Sequence, residues 1–420
     1  MNRYCTALLA LLVAAGLALP GPALADDAPA DDSTDAVTLE DRNDTGLDAA
    51  SAQQDEPTLD VSVNGSLRFN ALFRSYGADT GFENKADRKL GDGGFTFDTF
   101  RIGANGSYGS LIFDAEWAFY PSSFGGNYIH HGWVGYEFSD SRQIQVGVSQ
   151  VPFGIQPYAS SSWFFNNTYY VGLEDDYDAG VKAVLSPGNW DIQGAYYMNP
   201  EGTTFYGSSD AARYSYDVVP GGGSSISEEN QFNIKLAYAF QHGDLGFTKI
   251  GVSGQRGQLL NEGTGETDWH AAYAAHLQGR YGGFGAKLEF AQQQLNPPGS
   301  DDPYTRMGAY GSTYRVANEH TVYSSSLSYR IPVNAGPISQ IKPYYDFSMV
   351  TKEIDNWNKN VSHDIGFLTS AGPLFVYTDL IISKNHPFNL PFTGSFEQVM
   401  ASGAEDEFRT AFNINIGIYF

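Results

Sequence analysis

From Leu59 onward the chain alternates apolar and polar side chains. Leu59-Val61-Val63-Gly65-Leu67-Phe69-Ala71-Phe73 is one such set, and Phe100-Ile102-Ala104-Gly106-Tyr108 and Leu111-Phe113-Ala115-Trp117-Phe119 follow it. The pattern recurs in Trp190-Ile192-Gly194-Tyr196-Met198, Phe232-Ile234-Leu236-Tyr238-Phe240, Trp269-Ala271-Tyr273-Ala275-Leu277, Phe284-Ala286-Leu288-Phe290 and Leu374-Val376-Thr378-Leu380-Ile382. The last segment, Phe408 to Phe420, puts apolar side chains at 412, 414, 416, 418 and 420 and ends on an aromatic residue. A period of two gives a strand with one oily and one wet face. Sixteen candidate strands are counted in this way.

The connections between these strands alternate in length. Short turns are predicted near Tyr108–Ser110, Ser139–Ser141, Pro187–Asn189, Gln241–Asp244, Tyr281–Gly283, Ile331–Pro337 and Ser370–Pro373. Longer, mostly polar segments separate them at 75–94, 120–127, 150–176, 199–230, 258–267, 291–318, 351–360 and 384–407. Short turns at one end and long loops at the other are the arrangement of an outer-membrane barrel, and an even strand number returns both chain ends to the short-turn side. The predicted fold class is therefore all-β: a transmembrane antiparallel β-barrel of about sixteen strands spanning residues 58–420, wide enough for an aqueous channel. A soluble secreted β-protein is the rival architecture; it would be expected to show linkers and buried unbroken apolar runs, which are missing here.

The residues before the barrel differ in kind. Arg3, the apolar run Ala7–Leu19 and Ala23-Leu24-Ala25 make residues 1–25 a predicted secretory signal peptide. Residues 26–57 belong to an acidic stretch poor in aromatics, with twelve acids between Asp26 and Asp60 against the single base Arg42, and are expected to be a disordered periplasmic segment. It is too short and polar for the plug domain of a gated receptor. Cys5 is the one cysteine and lies before the apolar run, so the exported chain is expected to lack disulfides. The 27 Tyr, 28 Phe and 47 Gly suit barrel strands with aromatic girdles.

If the apolar set faces lipid, the alternate set faces the lumen. Its charged and polar members include Arg101, Asp114, Glu116, His131, Glu137, Gln145, Lys182, Asp191, Lys235, Lys249, His270, His276, Arg280, Lys287, Glu289, Arg330, Lys342, Asp346, Asp379 and Arg409. Charges facing lipid are costly, so their shared phase supports the barrel. We take Arg101, Asp114, Glu116, Lys182, Lys235, Arg280, Lys287, Arg330, Lys342 and Arg409 as candidate pore-lining residues. Bases slightly outnumber acids in the larger set, which leans toward an anion path; a hydrated wall of mixed ion pairs is the plainer alternative.

The third long segment is aromatic where an extracellular loop should be polar. It runs Val151-Pro152-Phe153-Gly154, through Tyr158 and Trp163-Phe164-Phe165, to Glu174-Asp175-Asp176. Such a composition suits a loop folded into the barrel and packed on its wall. Pro152, Phe153, Gly154, Tyr158, Trp163, Glu174, Asp175 and Asp176 are the candidate constriction residues. The eight histidines show no metal-ligand spacing, and His130 and His131, adjacent on a strand, are expected to point to opposite faces. No cofactor and no catalytic constellation are indicated, and the Gly221-Gly222-Gly223 run is expected to be an extracellular loop rather than a phosphate-binding one.

The segment Gln143-Ile144-Gln145-Val146-Gly147-Val148-Ser149-Gln150, leading straight into Val151-Pro152-Phe153-Gly154, resembles the phosphate-selective porin O and P family. The Ser-rich aromatic loop that follows, the resumption at Tyr177-Asp178-Ala179-Gly180-Val181-Lys182 and the terminal strand add to the likeness. The resemblance implies a sixteen-stranded homotrimeric porin of the bacterial outer membrane with an inward third loop. It also implies passage of phosphate or other anions. This chain departs from the family's basic constriction, because no Lys or Arg occurs between Val151 and Val181. The expected function is passive diffusion of small hydrophilic solutes and ions, with an outer-membrane barrel enzyme or receptor as the alternative.

Overall fold

The computed structural model describes residues 57–74, 94–202, 211–390, 396–404 and 406–420. The expected signal peptide, and the acidic segment up to residue 56, lie outside them. The barrel strands are β1 (Leu59–Arg74), β2 (Gly94–Tyr108), β3 (Leu111–Phe119), β4 (Asn127–Ser139), β5 (Arg142–Gln150), β6 (Tyr177–Leu185), β7 (Trp190–Pro200) and β8 (Ile226–Gln241). They continue as β9 (Gly246–Asn261), β10 (Thr267–Tyr281), β11 (Phe284–Leu295), β12 (Glu319–Tyr329 and Ile331–Ala335), β13 (Ile338–Lys352), β14 (Asn360–Ala371), β15 (Leu374–Lys384) and β16 (Arg409–Tyr419). Both parts of β12 pair with β13, so they are one strand interrupted at Arg330. Every neighbouring pair is antiparallel, and β16 pairs with β1 from Ser66↔Tyr419 to Arg74↔Ala411. The sheet is thereby closed into sixteen strands and has no edge left to aggregate.

The faces follow the sequence pattern. Outward side chains such as Val134, Phe232, Ile234 and Leu288 are exposed, whereas inward His270 and Asp379 are fully buried. Rings cluster on the outer surface near the short turns: Tyr136 with Phe138 at 5.0 Å, and Trp190 and Phe240 on either side of Tyr238 at 4.8 Å each. That is an interfacial girdle. Gly109 and Gly282 take φ of +61° and +59° in the tight turns after β2 and β10, the left-handed geometry that two-residue hairpins need. Among the described residues no helix is long and apolar enough to cross a membrane; the strands do the crossing.

Three boundaries differ from expectation. The turn predicted over Ile331–Pro337 is shorter, because β12 resumes after Arg330 and runs to Ala335. The segment 258–267 shrinks to a five-residue link, since β9 continues to Asn261 and β10 begins at Thr267. Segments 199–230 and 291–318 are not simply loops. They supply Asp217–Val218, Tyr304–Ala309 and Ser312–Ala317, which form a separate three-stranded sheet that covers the third loop. Met307, Tyr314, Tyr216 and Val218 of this cover belong to one apolar cluster with Val151, Phe153 and Tyr169–Leu173 of the third loop.

Candidate functional site

The third long loop, residues 151–176, lies inside the barrel. Five of its backbone N–H groups donate to wall side chains: Gly154 to Ser253 Oγ at 3.0 Å, Ile155 to Glu289 Oε2 at 2.7 Å, Ser161 and Ser162 both to Asp346 Oδ2 at 2.7 Å, and Asn167 to Ser348 Oγ at 3.0 Å. These acceptors stand on β9, β11 and β13, so the loop is pinned to that side. Lys287 Nζ donates to the Tyr158 carbonyl at 2.7 Å, and Lys235 Nζ to Gln156 Oε1 at 2.8 Å. Gly154 has φ +54°, and a Cβ there would sit 2.8 Å from the Glu289 carboxyl carbon; this close approach explains the glycine.

A cavity of about 580 Å³ remains between the loop and the opposite wall. One side is β1 and β2, with Arg68, Arg74, Asp98 and Arg101; the other is aromatic, with Tyr158, Trp163, Phe165, Tyr214, Tyr310 and Phe388. Arg68 lies over the Trp163 ring at 4.5 Å and pairs with Asp98 at 3.3 Å. Arg101 lies 5.1 Å over Tyr214, pairs with Glu116 at 3.0 Å and donates to Tyr120 Oη at 3.0 Å. Cation–π contacts hold both guanidinium groups against the rings. A second, smaller hollow of about 50 Å³ is lined by Arg280, Lys287, Arg330, Lys342 and Ser161. Four bases from β10–β13 meet there, with no carboxylate in the lining.

The other candidates fall elsewhere. Asp114 pairs with His131 at 3.2 Å. Lys182 Nζ donates to the Gln150 carbonyl at 2.9 Å, below the loop's first residue. Arg409 stands at the loop end of β16, 3.5 Å from Glu407. Pro152 and Phe153 are buried between loop and wall, while Tyr158 and Trp163 reach the cavity. The three loop carboxylates are absent from the cavity lining. Glu174 turns inward as a staple, accepting from Ala159 N at 2.9 Å and Thr168 Oγ1 at 2.6 Å. Burial, then the nearby Glu289, pushes its carboxyl up to about 8. Asp175 accepts from Tyr214 Oη at 2.5 Å, and burial pushes it up to about 6. Asp176 joins other acids behind the loop.

One expectation is overturned. His130 and His131 do not point to opposite faces: a bulge pairs Glu116 with His131 and Trp117 with Ile129, leaving His130 unpaired in the ladder. The extra residue resets the alternation, so both rings turn inward with their Nδ1 atoms 3.0 Å apart. Arg68 and Arg74 escaped notice, although the alternation with Leu67, Phe69 and Phe73 marks both as inward. Tyr214, Tyr310 and Phe388 come from long loops whose path no periodicity reveals.

No protein-family model matches the chain, and no curated protein matches it in sequence. Solved structures do match in fold. The outer membrane channel DcaP of Acinetobacter baumannii is 14% identical, with 86% of this chain and 97% of that chain covered and a TM-score of 0.57. An anion-selective porin from Comamonas acidovorans is 17% identical, with 86% and 100% covered and a TM-score of 0.51. OmpT of Vibrio cholerae, in a trimer form, is 14% identical, with 86% and 99% covered and a TM-score of 0.52. At these identities the likeness is one of fold. The chain is a sixteen-stranded transmembrane antiparallel β-barrel, a fold it shares with these outer-membrane proteins.

Proposed function

We propose that this protein is a passive channel of the bacterial outer membrane for small hydrophilic solutes, with a preference for anions. The observation that carries this reading is the distribution of charge along the path. Arg68, Arg74, Arg101 and Asp98 are the charged residues in the lining of the larger cavity, and Arg280, Lys287, Arg330 and Lys342 are those in the lining of the smaller hollow. Fixed positive charge in a narrow lumen raises the local anion concentration. The burial of Glu174, Asp175 and Asp176 away from the cavity removes the acids that would offset it.

Phosphate is one anion the path could pass, in keeping with the resemblance to the phosphate-selective porin O and P family. The two guanidinium groups near the rings are each already engaged by a carboxylate, Asp98 or Glu116. Weak phosphate binding is therefore the reading, because a dianion needs several preorganised donors to replace its hydration. Export by residues 1–25, an acidic periplasmic segment over 26–57 and assembly as a trimer complete the proposal. Reversal potentials measured across planar bilayers in a salt gradient test the anion preference, and phosphate added as a blocker tests the narrower reading. A cation-selective reversal potential would refute the first, and unaltered current at high phosphate the second.

A further inference from the structure

Behind the third loop lies a group of acids that the channel does not use. Asp176 ends that loop, Asp178 is the second residue of β6, Glu201 and Asp217 belong to the fourth loop, and Glu228 stands near the start of β8. Asp176, Asp178, Glu201 and Asp217 are 5%, 2%, 6% and 1% exposed. Single carboxylate oxygens of Asp176, Asp178 and Asp217 lie within 4.8 Å of one another. Among the described residues the cation in contact with the group is Arg213, whose Nη1 is 2.8 Å from Asp217 and 3.8 Å from Glu201. Gln231 donates to Asp178 Oδ2 at 2.9 Å, and Ser215 Oγ to Glu201 Oε1 at 2.8 Å. Asp176 Oδ1 and Asp178 Oδ1 are buried without any hydrogen-bond partner.

Buried carboxylate oxygens without donors are expensive. Arg213 offsets charge at Asp217 and Glu201, whereas the partnerless oxygens of Asp176 and Asp178 leave room for a further cation.

We propose that Asp176, Asp178 and Asp217 form a calcium site that ties the third and fourth loops to the barrel wall. The donor set decides the metal. It offers oxygen alone, from several carboxylates in a water-poor place. Ca²⁺ accepts six to eight such ligands in adaptable geometry, whereas Mg²⁺ keeps its waters and Zn²⁺ favours nitrogen and sulfur. Glu201, which accepts from Tyr214 N, Ser215 N and Ser215 Oγ, and Glu228, which accepts from Val218 N, fix the fourth loop beside it. The ion is structural, since the carboxylates lie behind the loop and away from the cavity lining.

The test uses the full-length protein folded in detergent and stripped with EGTA. Tb³⁺ serves as the probe, because Tyr177, Tyr197 and Tyr214 lie near enough to sensitise its luminescence. The site requires a signal that saturates at one ion per chain, is displaced by Ca²⁺ and resists Mg²⁺. Ca²⁺ should also raise the unfolding midpoint measured in EGTA. Asp176→Asn combined with Asp217→Asn should lose the signal and the EGTA sensitivity while keeping the barrel's heat-modifiable gel migration. The acids between Asp26 and Asp60 are the same in both proteins, so any loose binding there cancels. Absence of a saturable signal in the unmutated protein, equal displacement by Mg²⁺, or an undiminished signal in the double variant would each overturn the proposal.

Discussion

Asp346→Ala tests what holds the third loop inward. The carboxylate of Asp346 accepts two of the five backbone N–H bonds that pin the loop to the wall, both at 2.7 Å. A hydrogen bond to a charged group contributes about 1.5–3 kcal/mol, so the pair is worth about 3–6 kcal/mol before compensation. Lumen water can reach freed N–H groups, and removing a buried charge returns some desolvation energy. The lower end, about 3 kcal/mol, is therefore the better figure. At about 1.4 kcal/mol per tenfold, the detached population rises about a hundredfold. Gly154, Ile155 and Asn167 keep their anchors, so the loop should fluctuate rather than leave. Single-channel recording in planar bilayers should show larger and noisier current steps, with Asp346→Asn between the variant and the original protein. Unchanged step size and noise in a correctly folded Asp346→Ala barrel would refute the idea that this carboxylate positions the loop.

Further outcomes follow from other residues. Arg68→Ala with Arg101→Ala removes two of the three cavity arginines and should reduce the anion-to-cation permeability ratio several-fold, measured as a shift in reversal potential. Glu174 has a carboxyl raised from 4.5 to about 8, so the folded loop favours its protonated form. The loop should be held most firmly below pH 4.5 and lose stability as pH climbs toward 8, and Glu174→Gln should flatten that dependence in hydrogen-exchange measurements. Phe420 exchanges two backbone hydrogen bonds with Gly65, at 2.7 and 3.0 Å. Deleting it should cost about 1–3 kcal/mol, visible as a lower unfolding temperature in detergent.

The barrel was legible because strand alternation and turn length are local properties. Ile414, Ile416 and Ile418 face outward and Asn413 and Asn415 inward, as the period of two requires. The inward loop was legible from composition, since Phe153, Trp163 and Tyr169 have no place in a polar extracellular segment. What the loop's acids do was not. Glu174 and Asp176 are separated by one residue, yet one staples Thr168 and the other joins Asp178 and Asp217. Their directions depend on turns fixed by tertiary contacts. The bulge at His130 defeated the alternation rule because one inserted residue shifts every side chain after it. The cover pairs the hairpin Tyr304–Ala317 with Asp217–Val218, far away in the chain, and no local pattern announces that pairing.

The central claim is that a fixed excess of lumen arginine and lysine makes this barrel a channel that favours anions. Its most direct test is the zero-current potential of the purified protein across a planar bilayer with a tenfold KCl gradient. The account requires a potential displaced toward the chloride equilibrium value, reduced by Arg68→Ala with Arg101→Ala. A potential displaced toward the potassium value, or a folded barrel that passes no current, would contradict it.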